Sequence, residues 1–191
     1  MTSTTRTSPR ERLLRAAAEL FGREGIATTG VEKLCQTAGV SKRTMYQLFE
    51  TKDALVAESL AEYGPATIAS HIPDETSEMP PRQRILRVFE RLEELTAEPE
   101  FHGCPFVNTA TELRDPSHPA SVVARDHKQQ LTDYFARQAA LAGARDPETL
   151  ANQLTIVFDG SAARSVMLHT GLDGLSLLTA TALLDAHQAA G

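Results

Sequence analysis

The sequence predicts an all-α protein of about nine helices, on three observations. Alanine, the strongest helix former, supplies 27 of the 191 residues. No stretch alternates apolar with polar residues over four to eight positions, so no half-buried strand is indicated. Apolar residues recur instead at three- and four-residue spacing, in segments bounded by capping residues, glycine and proline.

The first helix opens at Ser8-Pro9-Arg10-Glu11, with serine as N-cap, proline at the first helical position and glutamate placed to close a capping box. Leu13, Leu14, Ala17, Leu20 and Phe21 form its apolar stripe, and Gly25 ends it. Thr29-Gly30-Val31-Glu32 reads as a second capping box, opening a short helix whose inner face is Val31, Leu34, Cys35 and Ala38. Gly39 breaks that helix and Ser41 caps a third, Lys42 to Phe49. Met45, Leu48 and Phe49 point inward there, and Lys42, Arg43, Thr44, Tyr46 and Gln47 outward. Two short helices joined by Ala38-Gly39-Val40-Ser41 make a helix-turn-helix.

Thr51 caps a fourth helix, Lys52 to about Ser70, with Leu55, Ser59 and Leu60 to one side, and the acidic stretch 73–81 (PDETSEMPP) ends it. The fifth runs from about Arg82 to Glu98, with Ile85, Val88, Phe89, Leu92 and Leu95 on one face. A sixth segment spans Cys104 to Arg114, and a long seventh about Ala120 to Leu141. Asp146-Pro147-Glu148 opens an eighth that reaches about His169, and the ninth covers Leu175 to about Gln188.

With 41% apolar and 23% charged residues the chain is an ordinary folded one, long enough to bury a core. No apolar run approaches the roughly 18–20 residues of a membrane span, and MTSTTRTSPRER lacks a signal core. A cytoplasmic protein with no membrane partner is expected. Cys35 and Cys104 lie far apart in unlike settings, which suggests two reduced thiols rather than a disulfide framework or a zinc pair. The net charge of −6 hides an asymmetry: residues 1–60 carry nine Lys/Arg against seven Asp/Glu, the remainder ten against eighteen. The two parts are suited to different partners.

The segment TTGVEKLCQTAGVSKRTMYQLFETKDAL, residues 28–55, closely resembles the DNA-binding signature of the TetR family of bacterial transcriptional regulators. The matching features are Thr29-x-Val31, Ala38-Gly39-Val40-Ser41-Lys42, Thr44-x-Tyr46, Phe49 and Lys52-x-x-Leu55. The resemblance implies a DNA-binding head, residues 1–52, and a helical body, residues 53–191, that binds a small-molecule effector and forms a homodimer. A recognition helix enters the major groove with its N-terminal residues at base edges, while flanking donors fix it on phosphates. Thr29 and Lys52, at helix starts, are candidates for those phosphate donors. The resemblance puts Thr44 and Tyr46 on the DNA, a methyl against thymine and a phenol against phosphate, with Lys42 and Gln47 as phosphate neighbours. Arg43 is the candidate base reader, able to pair bidentately with guanine for about 1–3 kcal/mol of discrimination. Arg6 and Arg10 are further candidates for minor-groove or phosphate contacts.

In the body, the eighth helix is apolar nearly all round, with Gly160, Ser161, Ala162 and Ala163 at its middle. The ninth offers Leu177, Thr181 and Leu184 on one face and Leu175, Leu178 and Ala182 beside it. The resemblance implies that these last two helices pair with their copies in an isologous four-helix interface, giving the two-fold symmetry a palindromic operator requires. His127 and Tyr134 interrupt the apolar stripe of the seventh helix, so they are candidate effector contacts with Phe106, Asn108, Glu112, Phe158 and Met167. Asp159 and Arg164, five apart and badly spaced for a pair within one helix, are candidates for pairing across the dimer.

His102-Gly103-Cys104 supplies two metal-ligand types, which do not make a site, so no metal or cofactor is expected. No nucleophile-base motif, phosphate loop, dinucleotide fingerprint or metal box indicates an enzyme. The expectation is a repressor that binds a palindromic operator as a homodimer and is released by an effector. The alternatives are a DNA-binding regulator without an effector, or one responsive to thiol or metal chemistry through Cys104.

Overall fold

The computed structural model describes residues 7–74 and 78–188. Arg6 and residues 75–77 of the acidic stretch lie outside the described residues. Among the described residues the fold is all-α: α1 (Pro9–Glu24), α2 (Val31–Ala38), α3 (Lys42–Leu48), α4 (Lys52–Ala69), α5 (Pro81–Thr96), α6 (Pro105–Leu113), α7 (Pro119–Leu141), α8 (Pro147–Leu168) and α9 (Leu175–Ala186). Five of these helices open on proline, where the missing N–H would have had no intrahelical partner.

The chain packs as two compact units. One is Met1–Gly64 with Pro105–Arg125, the other Pro65–Cys104 with Asp126–Gly191. In the first, Leu13, Leu14, Ala17 and Leu20 of α1 pack with Leu34, Cys35 and Ala38 of α2 and with Met45, Phe49 and Leu55. Each fully buried Leu, Met or Phe among them contributes about 1.5–3 kcal/mol. A smaller cluster joins Ile26, Val56 and Ala57 to Ala120 of α7.

The α1 capping box forms in both directions: Glu11 N–H donates to Ser8 Oγ at 3.2 Å, and Ser8 N–H to Glu11 Oε2 at 2.7 Å. The second expected box does not form. Gly30, not Thr29, is the N-cap of α2, and the Thr29 hydroxyl donates backward to the Gly25 carbonyl at 2.7 Å. Leu48 also departs from expectation and lies exposed. The chain turns extended at Phe49, and it is Phe49 that enters the core.

The second unit is built on Ile85, Val88, Phe89 and Leu92 of α5, Leu131, Tyr134 and Phe135 of α7, Leu150, Leu154 and Phe158 of α8, and Leu184 of α9. Phe89 stacks on Phe135 with ring centroids 5.8 Å apart. Asp146 caps α8 by accepting from Thr149 N–H at 3.0 Å. Glu93 of α5 caps α9, accepting from Gly174 N–H and Ser176 N–H, both at 3.0 Å.

Candidate nucleic-acid interface

Packing of α1 against α2 and α3 sets where the helix-turn-helix presents its outer face. The left-handed Gly39 (φ +62°) reverses the chain after α2, and Ser41 Oγ accepts from Thr44 N–H at 3.0 Å to start α3. Arg12 secures the turn from α1, its Nε donating to the Ala38 carbonyl at 2.9 Å and its Nη2 to that of Gly39 at 3.4 Å. Sequence reading passed over Arg12, whose partners lie 26 and 27 residues away.

With Met45 fully buried, α3 turns Lys42, Arg43, Tyr46 and Gln47 to the exterior, and Thr44 is half-buried against Ser41. Tyr46 is 52% exposed. Lys42 stands 3.6 Å from Glu32. Arg10 pairs with Glu58 and lies over the Phe49 ring, 5.4 Å from its centroid.

Thr29 is wholly buried, so what this position offers to the surface is the start of α2 rather than a hydroxyl. That first turn carries no side-chain cap, so its N–H groups stand at the positive end of the helix without a side-chain acceptor from the N-cap. Lys52 is half-buried; its ammonium donates to the Ile26 carbonyl and lies 5.9 Å from the Phe21 ring centroid. Glu112, expected among the effector contacts, meets the same turn. Its two carboxylate oxygens accept from Ile26 N–H at 2.8 Å and Ala27 N–H at 2.6 Å.

The expected effector set is divided between the units. Phe106, Asn108 and Glu112 belong to the first; His127, Tyr134, Phe158 and Met167 belong to the second. His127, Tyr134 and Phe158 are buried, whereas Met167 is 69% exposed. Burial pushes the Tyr134 phenol up. Two polar side chains meet the Phe158 ring from positions that sequence spacing could not relate. Lys128 lies 5.0 Å over its ring, and His71 meets it edge-on at 5.2 Å. The Thr132 and Thr155 hydroxyls are 3.0 Å apart. Asp159 takes Lys128 of the same chain as an ion-pair partner. Burial raises the Asp159 carboxyl, with Lys128 acting against it, and burial lowers the His71 imidazole.

An apolar stripe crosses the exterior of the second unit. Ile156, Gly160, Ala163 and Met167 line α8 at helical spacing, and Leu175, Leu178 and Ala182 line α9. Among the described residues no helix is long and apolar enough to cross a membrane, and no group of three or more His, Cys, Asp or Glu is placed to hold a metal ion.

Residues 13–59 match the family model of bacterial regulatory proteins, tetR family. Along its length the chain is similar to a crystal structure of a candidate TetR transcriptional regulator from Streptomyces avermitilis. It is 50% identical, covering 95% of this chain and 98% of that one, with a TM-score of 0.91. A TetR-family transcriptional regulator from Streptomyces coelicolor shares the fold at 24% identity, over 95% and 96% of the two chains, with a TM-score of 0.80. The HTH-type transcriptional regulator YjdC of Escherichia coli (strain K12) is 23% identical over 167 residues, 86% of each chain.

Proposed function

The chain belongs to the TetR family of bacterial regulatory proteins, DNA-binding transcriptional regulators, and from that premise we propose that it is a cytoplasmic, effector-released repressor that binds a palindromic operator as a homodimer. The observation that carries the reading is the outer face of α3: Lys42, Arg43, Tyr46 and Gln47 stand exposed together on a helix seven residues long. Arg43 reads a base edge there, Thr44 and Tyr46 meet a thymine methyl and a phosphate, and Lys42 and Gln47 sit on the backbone. The start of α2, just after the buried Thr29, and the start of α4 at Lys52 clamp the flanking phosphates.

By role, residues 1–52 read DNA and residues 53–191 dimerise and bind the effector. One head touches few bases, and two heads about 34–36 Å apart read successive major grooves. The exposed stripe of α8 and α9 supports an isologous four-helix interface. In the second unit the effector contacts are His127, Tyr134 and Phe158, on α7 and α8. Binding that favours the splayed dimer releases the operator by differential affinity.

The test is binding of the full chain to DNA upstream of its own gene, at two salt concentrations and with candidate small molecules added. Tight, sequence-selective, salt-sensitive binding that one compound releases, and that R43A/Y46A abolishes, is the expected result. Undiminished binding by that variant would remove α3 from the interface.

A further inference from the structure

Ile26 lies between two opposite charges supplied by different helices. Its N–H, with that of Ala27, is held by the Glu112 carboxylate at the end of α6. Its carbonyl is held by the Lys52 ammonium at the start of α4. Gly25 makes room for the carboxylate: a Cβ there would stand 3.2 and 3.3 Å from the two Glu112 oxygens, and its φ of +89° is one that L side chains rarely adopt. The buried Thr29 hydroxyl closes the same turn onto the Gly25 carbonyl. Hydrogen bonds to an ionised acceptor are roughly twice as strong as neutral ones, and two on consecutive amides fix the direction of the peptides as well as their place.

We propose that Glu112 is a positioning residue for DNA binding. Acting from α6, it holds the Gly25–Thr29 turn in the shape that presents the uncapped first turn of α2, and Lys52 beside it, to the phosphate backbone. The inference rests on the reading above that these two helix starts meet phosphate. Glu112 itself touches no DNA, and the sign of its effect separates it from a simple charge. Removing an anion near a phosphate-binding surface relieves repulsion within the ~8–10 Å reach of charge in physiological salt and by itself tightens binding. Removing a positioning carboxylate loosens it.

The experiment uses duplexes enriched from a random pool by the wild-type chain. Their affinities for wild type, E112A and E112Q are then measured across a series of salt concentrations, with thermal unfolding of each variant followed by circular dichroism. Glutamine matches the shape of glutamate but turns an NH₂ toward one of the two amides, so E112Q keeps one bond and keeps the test standing should E112A fail to fold. The expected result is a loss of about tenfold or more for E112A and a smaller loss for E112Q. The slope of log affinity against log salt becomes shallower by about 0.9, one phosphate contact. The ranking of duplexes that differ at single base pairs stays as in wild type, since α3 is untouched. Affinity equal to or above wild type in E112A overturns the proposal. So does a loss that leaves the salt slope unchanged, which assigns Glu112 to folding alone. A wild-type chain that enriches no duplex overturns the DNA-contact reading and the proposal with it, whereas enrichment by wild type with unchanged binding by E112A overturns the proposal alone.

Discussion

The guanidinium of Arg12 and the carbonyl of Ala38 meet at 2.9 Å, joining α1 to the last residue of α2. A helix leaves its final carbonyls without intrahelical donors, and here a cation from another helix satisfies one and reaches the next. R12A is expected to lower stability by roughly 1.5–3 kcal/mol, the range for hydrogen bonds to a charged group. R12K should recover only part of that, because an ammonium lacks the fork that spans two carbonyls. Denaturant unfolding of the three chains measures both.

Gly25 combines a positive φ of +89° at a ψ of 161°, a conformation nearly confined to glycine, with the close approach of Glu112. G25A therefore carries a strain of about 1–3 kcal/mol before any collision is counted. The variant should unfold at lower temperature, with faster hydrogen exchange at Ile26 and Ala27 N–H as the displaced carboxylate lets go of them. Equal protection of those amides in both chains would refute this account.

Stability should fall with acid through His71. Burial lowers its imidazole below the ordinary value, the Thr67 carbonyl at 2.8 Å pulling the other way. The unfolded chain thus takes up the proton more readily than the folded one. The contribution is complete above the ordinary histidine value and is lost as pH drops through it toward the lowered value. The unfolding temperature should decline from about pH 7.5 to about pH 5, less steeply in H71F, which keeps an edge-on ring against Phe158.

Lys128 and Asp159 are 16% and 28% exposed, so their pairing offsets desolvation only in part. Losing one partner, as in D159A, should cost somewhat less than the roughly 3–5 kcal/mol of a fully buried pair. Losing both to apolar residues, as in K128M/D159L, should leave stability close to wild type. Thermal melts of the single and double variants decide it, and a double variant as weak as the single would argue for a pair that is strongly net favourable.

The exposed stripe on the last two helices predicts the oligomeric state. Ile156 and Leu178 are 71% and 66% exposed. Placing a carboxylate at both, I156D/L178D, should shift sedimentation from dimer to monomer at micromolar concentration, each position weakening association by about 2 kcal/mol or more. A wild-type chain that sediments as a monomer would remove the interface.

Local chemistry was legible in the sequence wherever a residue's partner lies within one helical turn. Ser8 with Glu11, Ser41 with Thr44 and Asp146 with Thr149 all cap as their spacing indicates. Thr29-Gly30-Val31-Glu32 shows the limit of that logic: its pattern is the same, but the turn after α1 brings the Gly25 carbonyl within reach of the hydroxyl, and Gly30 takes the cap. The outward face of α3 could be read from the period of Met45 and Phe49, whereas the side on which Leu48 falls depended on the chain turning extended at the very next residue. Glu112 was the hardest to place. An acidic residue on an amphipathic helix suggests a ligand contact, and nothing near it in sequence points to amides 85 and 86 residues upstream.

The engagement of Ile26 and Ala27 by α6 bears on how regulators of this kind are recombined. A chimera spliced at residue 52 would carry the reading helices of one parent and the α6 of another, so its grafted turn would arrive without the acceptor it folded against. Transplants that also carry residues 105–125, the rest of that compact unit, bring the acceptor along.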